Sequence, residues 1–380
     1  MHSRAKETIV YNPKPDTTCL VFSDVHLSLD GHKQSSTEEY LASKIEQLSA
    51  SSNACLVLNG DIFELWAHPH GVEQIISKYQ LLTKAIVEFN KAAGHKTYFV
   101  VGNHDDTVGY TDTDQEVIYN KWGAQVCLNL DIELNGQVIH VEHGHQFDPY
   151  NRLENPMKPG DITRGQRIVQ TTMPKLKKHF PNLADGISDV VDRRNLPVFG
   201  LSRFAYRIYL PLIVPVFLAA MVGESFLLQS IYVVYWGLAI IVVSWVLLWL
   251  LVVLAPWLTK IFFGSGGDID EAQIDKYLSK SHYNALVIGH THRGMILKTK
   301  SGWYANSGCN DPVQLRAASL LGITLFNHYS QNSCLWLNLS KTIEVRYEQT
   351  RWPIIDQHRL EKLFLWRKPK QQSDTETQVF

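Results

Sequence analysis

Aspartate, histidine and asparagine residues recur in this chain directly after short apolar runs. The run at 98–101 (YFVV) is followed by Gly102 and then by Asn103, His104 and Asp105. β-Branched and aromatic residues that end at a glycine are typical of a buried strand in a layered α/β sheet, and ligands bind beyond the carboxyl ends of such strands. These three polar side chains are therefore predicted to project into a site.

Four further apolar runs end in the same way. They close on Asp24 and His26 (CLVFSDVH), on Asp61 (CLVLNGD), on His143 and His145 (IHVEHGH), and on His290 and His292 (ALVIGHTH). Carboxylate, imidazole and amide groups without a thiolate suit Mn, Fe or Zn in an octahedral-like site. Five strand ends that carry metal-ligating residue types are not explained by core packing, so the pattern predicts a metal centre.

The order of these blocks resembles the calcineurin-like metallophosphoesterases, whose pattern is DxH, GD, GNHD or GNHE, a strand-end His and GHxH. Here the blocks are DVH, GD, GNHD, HGH and GHTH, and the details FSDVHL, GDIFELW and GHTHR look most like the bacterial UDP-2,3-diacylglucosamine pyrophosphatases of lipid A synthesis. The resemblance covers residues 17–148 and 284–309. It implies a four-layer α/β/β/α metallophosphoesterase sandwich that hydrolyses a phosphoester or pyrophosphate bond.

The resemblance also implies a role for each candidate residue. The first metal would be bound by Asp24, His26 and His292, the second by Asn103, His143 and His290, and Asp61 would bridge the two. The two divalent ions are expected to be Mn, with Fe or Zn as alternatives. His104 would be the acid near the leaving oxygen, oriented by Asp105. Separately from the resemblance, Arg293 lies next to His292 and has a planar guanidinium, so it is predicted to bind a substrate phosphate or else to form a surface salt bridge.

Other polar residues near these blocks have weaker claims to the site. His145 either supports a ligand or packs, and it is left out of the ligand set. Glu64 is expected to line the pocket, and the loop histidines His68 and His70 are candidates for substrate contact. Asn306, in ANSG, is expected to brace the GHTH loop.

Two features depart from the lipid A pyrophosphatases. Those enzymes have Arg at the position of His104, and their insertion before the GHTH motif is a soluble helical lid. In this chain the insertion contains a long apolar stretch instead. The resemblance therefore supports the reaction class and does not identify the substrate.

The elements that must position these residues alternate along the first hundred residues as βαβαβ, with helical spacing of apolar residues at Thr37–Ser49. Such alternation predicts a largely parallel sheet. Val126–Val141 contains two alternating runs joined by Asn135 and Gly136, the commonest two-residue hairpin turn. Further alternating runs from Gly294 to Arg346 predict that a second sheet completes the sandwich.

The apolar stretch Ile208–Thr259 has Glu224 as its only formal charge. It is far longer than the roughly 20 residues that cross a bilayer once. Two spans are predicted, at Tyr209–Val222 and Ile231–Leu254, with Gly223–Ser230 as the turn. The alternative is a helical pair buried against another subunit.

Charges beside this stretch predict its orientation. Arg203 and Arg207 precede it and Lys260 follows it, so the positive-inside rule puts both ends in the cytosol. Pro211 and Pro215 are expected to shorten or tilt the first span. The expected location is a two-span protein of a bacterial inner membrane with a cytosolic catalytic domain.

Five parts follow from these patterns. Residues 1–148 and 261–350 are the two parts of the metallophosphoesterase domain, 149–207 a helical and partly basic insertion, 208–260 a membrane-embedded hairpin, and 351–380 a C-terminal segment with a disordered tail from Lys368. The five cysteines are scattered and without CxxC spacing, which predicts reduced buried thiols. With 36 basic and 37 acidic residues, no overall basic field indicates a nucleic-acid partner.

The sequence thus predicts a membrane-anchored two-metal phosphoesterase that acts on a lipid or lipid-linked substrate at the cytosolic face, with the bilayer as a partner. The alternative enzyme hydrolyses soluble nucleotides or phosphoproteins, and its hairpin is only an anchor. A non-catalytic membrane scaffold and a nuclease remain as further alternatives, although no ligand position is missing and no basic stripe interleaved with aromatic residues is present. The oligomeric state is left open.

Overall fold

A computed structural model of the chain describes residues 6–29, 35–67, 71–152, 162–179, 186–187, 189–190, 195–263, 270–317, 323–354 and 370–380. In these ranges the framework is a sheet of thirteen strands. The strands are β1 (Lys6–Tyr11), β2 (Thr17–Phe22), β3 (Ala54–Asn59), β4 (His95–Val100), β5 (Gln125–Leu134), β6 (Gln137–Val141), β7 (Ala285–Ile288), β8 (Met295–Lys298), β9 (Trp303–Asn306), β10 (Pro312–Ala317), β11 (Leu325–Leu339), β12 (Ile343–Pro353) and β13 (Gln372–Val379).

Strand order brings the predicted ligand-bearing ends together. The order is β13-β12-β11-β2-β3-β4-β5-β6-β7-β9-β8, with β1 paired to β5 and β10 paired to β11. β2, β3 and β4 are parallel neighbours, and β6 is parallel to β7. The β5–β6 hairpin turns at Asn135 and Gly136, both with positive φ, as predicted.

The continuous sheet folds back on itself into a sandwich. Val21 of β2 and Val287 of β7 belong to one inner apolar cluster, although the two strands lie in distant parts of the sheet. Leu20 points the other way, into a cluster with the first helices, and Leu286 points outward under the last helix. Because successive side chains of a strand alternate between faces, the layers are helix, sheet, sheet and helix, as expected.

Ten α-helices are described. They are α1 (Ser35–Ser49), α2 (Val72–Lys78), α3 (Gln80–Phe89), α4 (Asp112–Trp122), α5 (Arg164–Arg167), α6 (Met173–His179), α7 (Leu196–Phe204), α8 (Val214–Leu228), α9 (Ile231–Phe263) and α10 (Glu271–Lys280). The π-helical segments Ile168–Thr172 and Ala205–Ile213 join α5 to α6 and α7 to α8. α1 to α4 cover one outer face of the sandwich, and α10 covers the other.

α7, its π segment and α8 form one long apolar helix, Leu196–Leu228, which pairs with α9. It begins earlier than the predicted span, inside the region assigned to the basic insertion. Its first turns, Leu196–Tyr209, form a foot that packs on the sandwich. There Tyr206 is buried beside Ile323 and donates a hydrogen bond of 2.9 Å to the Ile323 carbonyl. After Tyr209, the predicted start of the first span, Met221 is the only buried residue of this helix among the described residues.

Neither proline ends this helix. Pro211 lies within the π segment Ala205–Ile213, and Pro215 lies in the first turn of α8. The first turn of a helix tolerates the missing N–H of proline, and a π segment changes the local hydrogen-bond spacing. The π segment at Pro211 is a local distortion of the kind expected there, but the helix is not shortened, and its tilt stays a prediction.

The C-terminal residues that were predicted to be disordered form β13, antiparallel to β12. Phe380 exchanges backbone hydrogen bonds with Ile343 and stacks on Trp303 with ring centroids 5.0 Å apart. The polarity of this segment reflects an exposed edge strand and not disorder. The part of the predicted tail before residue 370 lies outside the described residues.

Candidate metal centre

The predicted ligands follow the carboxyl ends of five strands. Asp24 and His26 follow β2, Asp61 follows β3, Asn103 follows β4, His143 follows β6, and His290 and His292 follow β7. Since the parallel strands end at the same edge of their sheets, these loops converge on one place, as the sequence predicted.

The backbone of the ligand loops is strained. Left-handed φ values occur at Asp24 (50°), His26 (51°), Asp61 (52°), His290 (63°) and His292 (58°). Such residues cost on the order of 1–3 kcal/mol each and persist where surrounding contacts impose them. The two first loops are tied together here, because the backbone N–H of His26 donates to the Asp61 carbonyl at 2.9 Å.

Asp24, His26 and His292 form the first predicted ligand group. One ligand atom from each lies within 4.8 Å of the others. Asp24 Oδ1 is 3.2 Å from His292 Nε2, and Asp24 Oδ2 accepts a hydrogen bond of 2.9 Å from the backbone N–H of His290. The Asp24 carboxylate therefore holds the GHTH loop while one oxygen faces the ligand group.

Asp61, His143 and His290 form a second group of the same kind. His143 Nδ1 lies 3.0 Å from the Asn59 carbonyl, so it carries the proton and leaves Nε2 facing Asp61 Oδ2, 3.0 Å away. Asp61 also belongs to a third group, together with His26 and His104. Its place in both groups is the one that a bridging carboxylate requires.

Unpartnered polar atoms test whether these residues fit metal ions. Within the described residues, both amide atoms of buried Asn103 have no hydrogen-bond partner. Buried polar groups without partners cost about 1–3 kcal/mol each. A Cβ at Gly102 would lie 2.2 Å from Asp61 Oδ1, so the loops also close tightly around the carboxylates. The donor set and its orphaned atoms fit two divalent cations.

Charge is balanced between carboxylates and imidazoles in this centre. Burial alone would raise the pKa of Asp24, but the neighbouring His292 and His143 lower it to about 2. Burial would lower the pKa of His143, but Asp61 and Asp24 raise it to about 9. A divalent cation competes with the protons on these imidazoles, so metal binding releases protons.

The predicted contact between Asp105 and His104 is replaced by another arrangement. Asp105 Oδ1 accepts a hydrogen bond of 2.7 Å from Gly102, and Oδ2 accepts bonds of 2.8 and 3.2 Å from Ile62 and Phe63. These backbone donors hold the loops after β3 and β4 against each other. Asp105 is therefore a structural brace, and its predicted role in orienting His104 was wrong.

Glu64 takes the role predicted for Asp105. Its Oε2 is 2.6 Å from His104 Nδ1, and its Oε1 accepts hydrogen bonds from the backbone of Trp66 and Ala67. The Trp66 ring stacks on His104 with centroids 4.1 Å apart. Burial would lower the pKa of His104, but the charges of Glu64 and Asp61 raise it to about 9, so the imidazole is held as a proton donor.

Two further polar residues lie behind the second ligand group. Asp148 Oδ2 is 3.1 Å from His290 Nε2 and accepts a hydrogen bond of 2.7 Å from Asn151. His145 is buried beside His143, and burial together with the positive charge of His143 keeps the pKa of His145 well below its usual value. The sequence analysis gave no role to Asp148, whose only signal was its place at the end of HGHQFD.

The remaining candidates are placed as follows. Asn306 donates hydrogen bonds of 2.7 and 3.1 Å to the Gly289 carbonyl and Thr291 Oγ1, which confirms its bracing role. Arg293 lines a cavity beside His292, and its role in substrate binding stays a prediction. All five cysteines are buried and free, as expected. His68 and His70 lie outside the described residues.

Comparisons with known proteins agree with the site. A family model described as calcineurin-like phosphoesterase matches residues 17–210, about half of the chain. That range contains the DVH, GD, GNHD and HGH blocks, and the structure adds the GHTH loop to them. No curated protein is significantly similar in sequence.

Solved structures with distant similarity include Vps29 from Cryptosporidium parvum (10% identity, 97% of this chain and 99% of that chain covered, TM-score 0.36). A Zn²⁺ complex of Vps29 from Entamoeba histolytica (10%, 95% and 98%, 0.33) and a dimetal phosphatase from Danio rerio (11%, 90% and 96%, 0.35) are similar at the same level. The chain belongs to the calcineurin-like phosphoesterase family and is a metal-dependent hydrolase of phosphoric esters.

Proposed function

We propose that this hydrolase is an integral membrane protein that acts on a phosphoester or pyrophosphate bond of a lipid or lipid-linked substrate at the cytosolic face. The observation that carries the proposal is the apolar helical pair. Phe226 is 85% exposed and Trp236 is 70% exposed. Exposure of such side chains to water is unfavourable by about 1.5–3 kcal/mol each.

The lengths of the helices suit a bilayer. Leu196–Leu228 contains 33 residues and Ile231–Ala255 contains 25. At 1.5 Å per residue the second is about 37 Å long, enough for a hydrocarbon core of about 30 Å. The first has an additional foot, from Leu196 to Tyr209, that packs on the catalytic domain.

The two helices form their own interface. Tyr209 Oη contacts Ser244 Oγ and donates a hydrogen bond of 3.2 Å to the Ile241 carbonyl. Nearer the turn, Met221 packs against Gly237, where a Cβ would lie 2.1 Å from the Met221 sulfur. Because the foot is docked and the arms are paired, the catalytic domain is held at the membrane surface. Arg203 and Arg207 precede the apolar stretch Ile208–Thr259 and Lys260 follows it, which supports the cytosolic orientation.

The chain's own residues would act as follows. Two divalent ions, when bound, would neutralise charge at the phosphoryl group and lower the pKa of water. Asp24, Asp61 and the ligand imidazoles would hold these ions in place. His104, held by Glu64, donates a proton to the leaving oxygen. Mn is the expected metal, with Fe or Zn as alternatives.

The test uses full-length protein in detergent and in vesicles, loaded with Mn, and compares p-nitrophenyl phosphate with a panel of lipid phosphates and lipid pyrophosphates. A matched variant replaces residues 222–236 with a short Gly/Ser linker between Met221 and Gly237, which are already in contact. This change preserves the docked foot and leaves only 13 residues, Tyr209–Met221, in the first arm, which is too short to span a bilayer.

We expect the shortened variant to keep turnover of the soluble ester and to lose turnover of vesicle lipids. Equal turnover of lipids by both forms would contradict the proposed access through the membrane. Cleavage of soluble nucleotides or phosphoproteins alone would make the helical pair only an anchor. Absence of metal-dependent cleavage in the wild type, judged against Asp61→Asn, would support a non-catalytic scaffold.

A further inference from the structure

A cavity of about 310 Å³ lies beside the metal centre. Its lining includes His292 and Arg293 of the GHTH loop, Gln314 and Arg316 of β10, Arg351 of β12, and Asn195 before α7. Among the described residues that line it, three are arginines and none is a carboxylate. A cavity that opens from a phosphoesterase centre with this charge suits an anion.

Neutral partners hold Arg351 in place. Its Nε donates a hydrogen bond of 2.7 Å to Gln331 Oε1, and its Nη2 donates one of 3.0 Å to Gln349 Oε1. Gln349 Oε1 is fixed in turn by Tyr347 Oη at 2.7 Å. These amides orient the guanidinium without cancelling its charge, which leaves its other N–H groups for an oxyanion.

Gln314 is a second, independent sign of a ligand. Its side chain is 2% exposed, and both amide atoms lack a hydrogen-bond partner among the described residues. Arg316 lies two residues further along β10, so the two side chains share a face of the strand. A buried amide without partners at the wall of an arginine-rich cavity is explained when a ligand supplies the missing bonds.

We propose that this cavity binds a second, non-reacting phosphate of the substrate. The inference rests on the proposed function and narrows its substrate class to molecules with two neighbouring phosphate groups, such as a pyrophosphate. Water adds its oxygen to the reacting phosphorus and releases one proton to solvent, while the bond from that phosphorus to the leaving oxygen breaks. His104 protonates the leaving oxygen and regains a proton from solvent. The second phosphate remains unchanged between Arg316 and Arg351.

The cavity also lies on the side of the centre where the apolar helices begin. Asn195 lines it and immediately precedes α7, whose next turns pack on Ile323 and Leu325. A phosphate bound there lies between the metal centre and the foot of the helical pair. This position suits the headgroup of an amphiphile, although a soluble diphosphate shares the same chemistry.

The test measures binding by calorimetry with Mn-loaded full-length protein in detergent. The ligands are methylenediphosphonate, which is not hydrolysed and has two phosphonate groups, and methylphosphonate, which has one. The variants are Arg316→Gln and Arg351→Gln. The matched control is Arg346→Gln, on the same strand as Arg351 but paired with Glu348 and stacked over Trp336.

We expect the wild type to prefer the diphosphonate, and each cavity variant to weaken diphosphonate binding roughly tenfold or more with little change for methylphosphonate. The control is expected to behave as the wild type. A preference that survives both cavity variants, or that Arg346→Gln removes equally, overturns the inference.

The binding measurement separates this inference from the proposed function. If no phosphoester is hydrolysed but the cavity variants lose the preference, the proposed function fails and the subsite stands. If lipid phosphates are hydrolysed but the cavity variants keep the preference for the diphosphonate, the proposed function stands and the subsite fails. A decyl ester of methylenediphosphonate identifies the source, since tighter binding of the ester assigns the subsite to a lipid headgroup and equal binding assigns it to a soluble diphosphate.

Discussion

The metal centre and the apolar helical pair both depart from the usual burial of apolar side chains and exposure of polar ones. The centre buries polar groups, and the helical pair exposes apolar ones. In the centre, charged and amide groups such as Asp24 and Asn103 are fully buried. In the helical pair, Phe226 and Trp236 are largely exposed. Each arrangement is unfavourable in water by itself. Metal ions would pair the buried polar groups, and the proposed bilayer would cover the exposed apolar side chains.

The two regions are held together by different forces. Directional hydrogen bonds and left-handed backbone fix the metal centre, as in the contact of Asp61 Oδ1 with the backbone N–H of His104 at 2.7 Å. The helical pair is held mainly by apolar packing, of which Met221 against Gly237 is one contact. Single substitutions are therefore expected to lower activity or stability strongly in the metal centre and only slightly in the helical pair.

The largest expected effect is that of Asp61→Asn, which keeps the shape and removes the charge between the two ligand groups. We expect hydrolysis of p-nitrophenyl phosphate to fall by roughly a thousandfold or more, with loss of bound metal. Metal content by mass spectrometry accompanies the rates. Retention of both metals with near-normal activity would contradict the bridging role.

A smaller loss of activity is expected at the proton donor. His104→Asn should lower kcat by roughly a hundredfold, in the range typical of general acid catalysis. Glu64→Gln should lower it by roughly tenfold, as for residues that orient a catalytic group. Asp105→Asn is the discriminating variant, because a loss of kcat without loss of stability there would restore the role in orienting His104 that the structure assigns to Glu64.

Metal removal should lower the stability of the catalytic domain. At a concentration of one hundred times the Kd, a ligand of the folded state stabilises it by about 2.7 kcal/mol, a shift in Tm of roughly 5 °C or more. We expect chelation to lower Tm by this amount, Mn to restore it, and Asp61→Asn to show no response. An unchanged Tm in the wild type would argue against a metal-dependent fold of the centre.

The smallest effect is expected in the exposed helices. Phe226→Ser should change stability in detergent by less than about 0.5 kcal/mol and leave soluble-ester turnover unchanged. Tyr206→Phe, which removes the buried bond to Ile323, should cost about 1 kcal/mol. If Phe226→Ser proves more destabilising than Tyr206→Phe, the tip is buried in a contact, which favours the alternative of a helical pair packed against another subunit.

Local patterns were sufficient to predict the two sheets and the strand ends where the candidate ligands lie. The ends of β2, β3, β4, β6 and β7 were visible because apolar runs give way abruptly to Asp, His or Asn. The Asn135–Gly136 turn was visible for a similar reason, since two adjacent residues with positive φ favour these types. The alternation of side chains along a strand and short motifs can both be recognised from residues that are neighbours in the sequence.

Contacts between distant residues were not predictable in the same way. In the sequence, Asp105 is nearer to His104 than Glu64 is. Asp105 accepts backbone hydrogen bonds from Ile62 and Phe63 instead, so Glu64 pairs with His104. β13 was missed because an edge strand gains its stability from the ladder of its partner β12 and not from its own apolar residues.

The sequence by itself determined the types of ligand, their order and the presence of a long uncharged stretch. Only the tertiary structure decided that Arg316 and Arg351, on two strands that both flank β11, line one cavity with His292. Charged and amide side chains that are brought together from different strands show no periodic pattern in the sequence. Their function depends on distances that are set when the sheet folds back on itself.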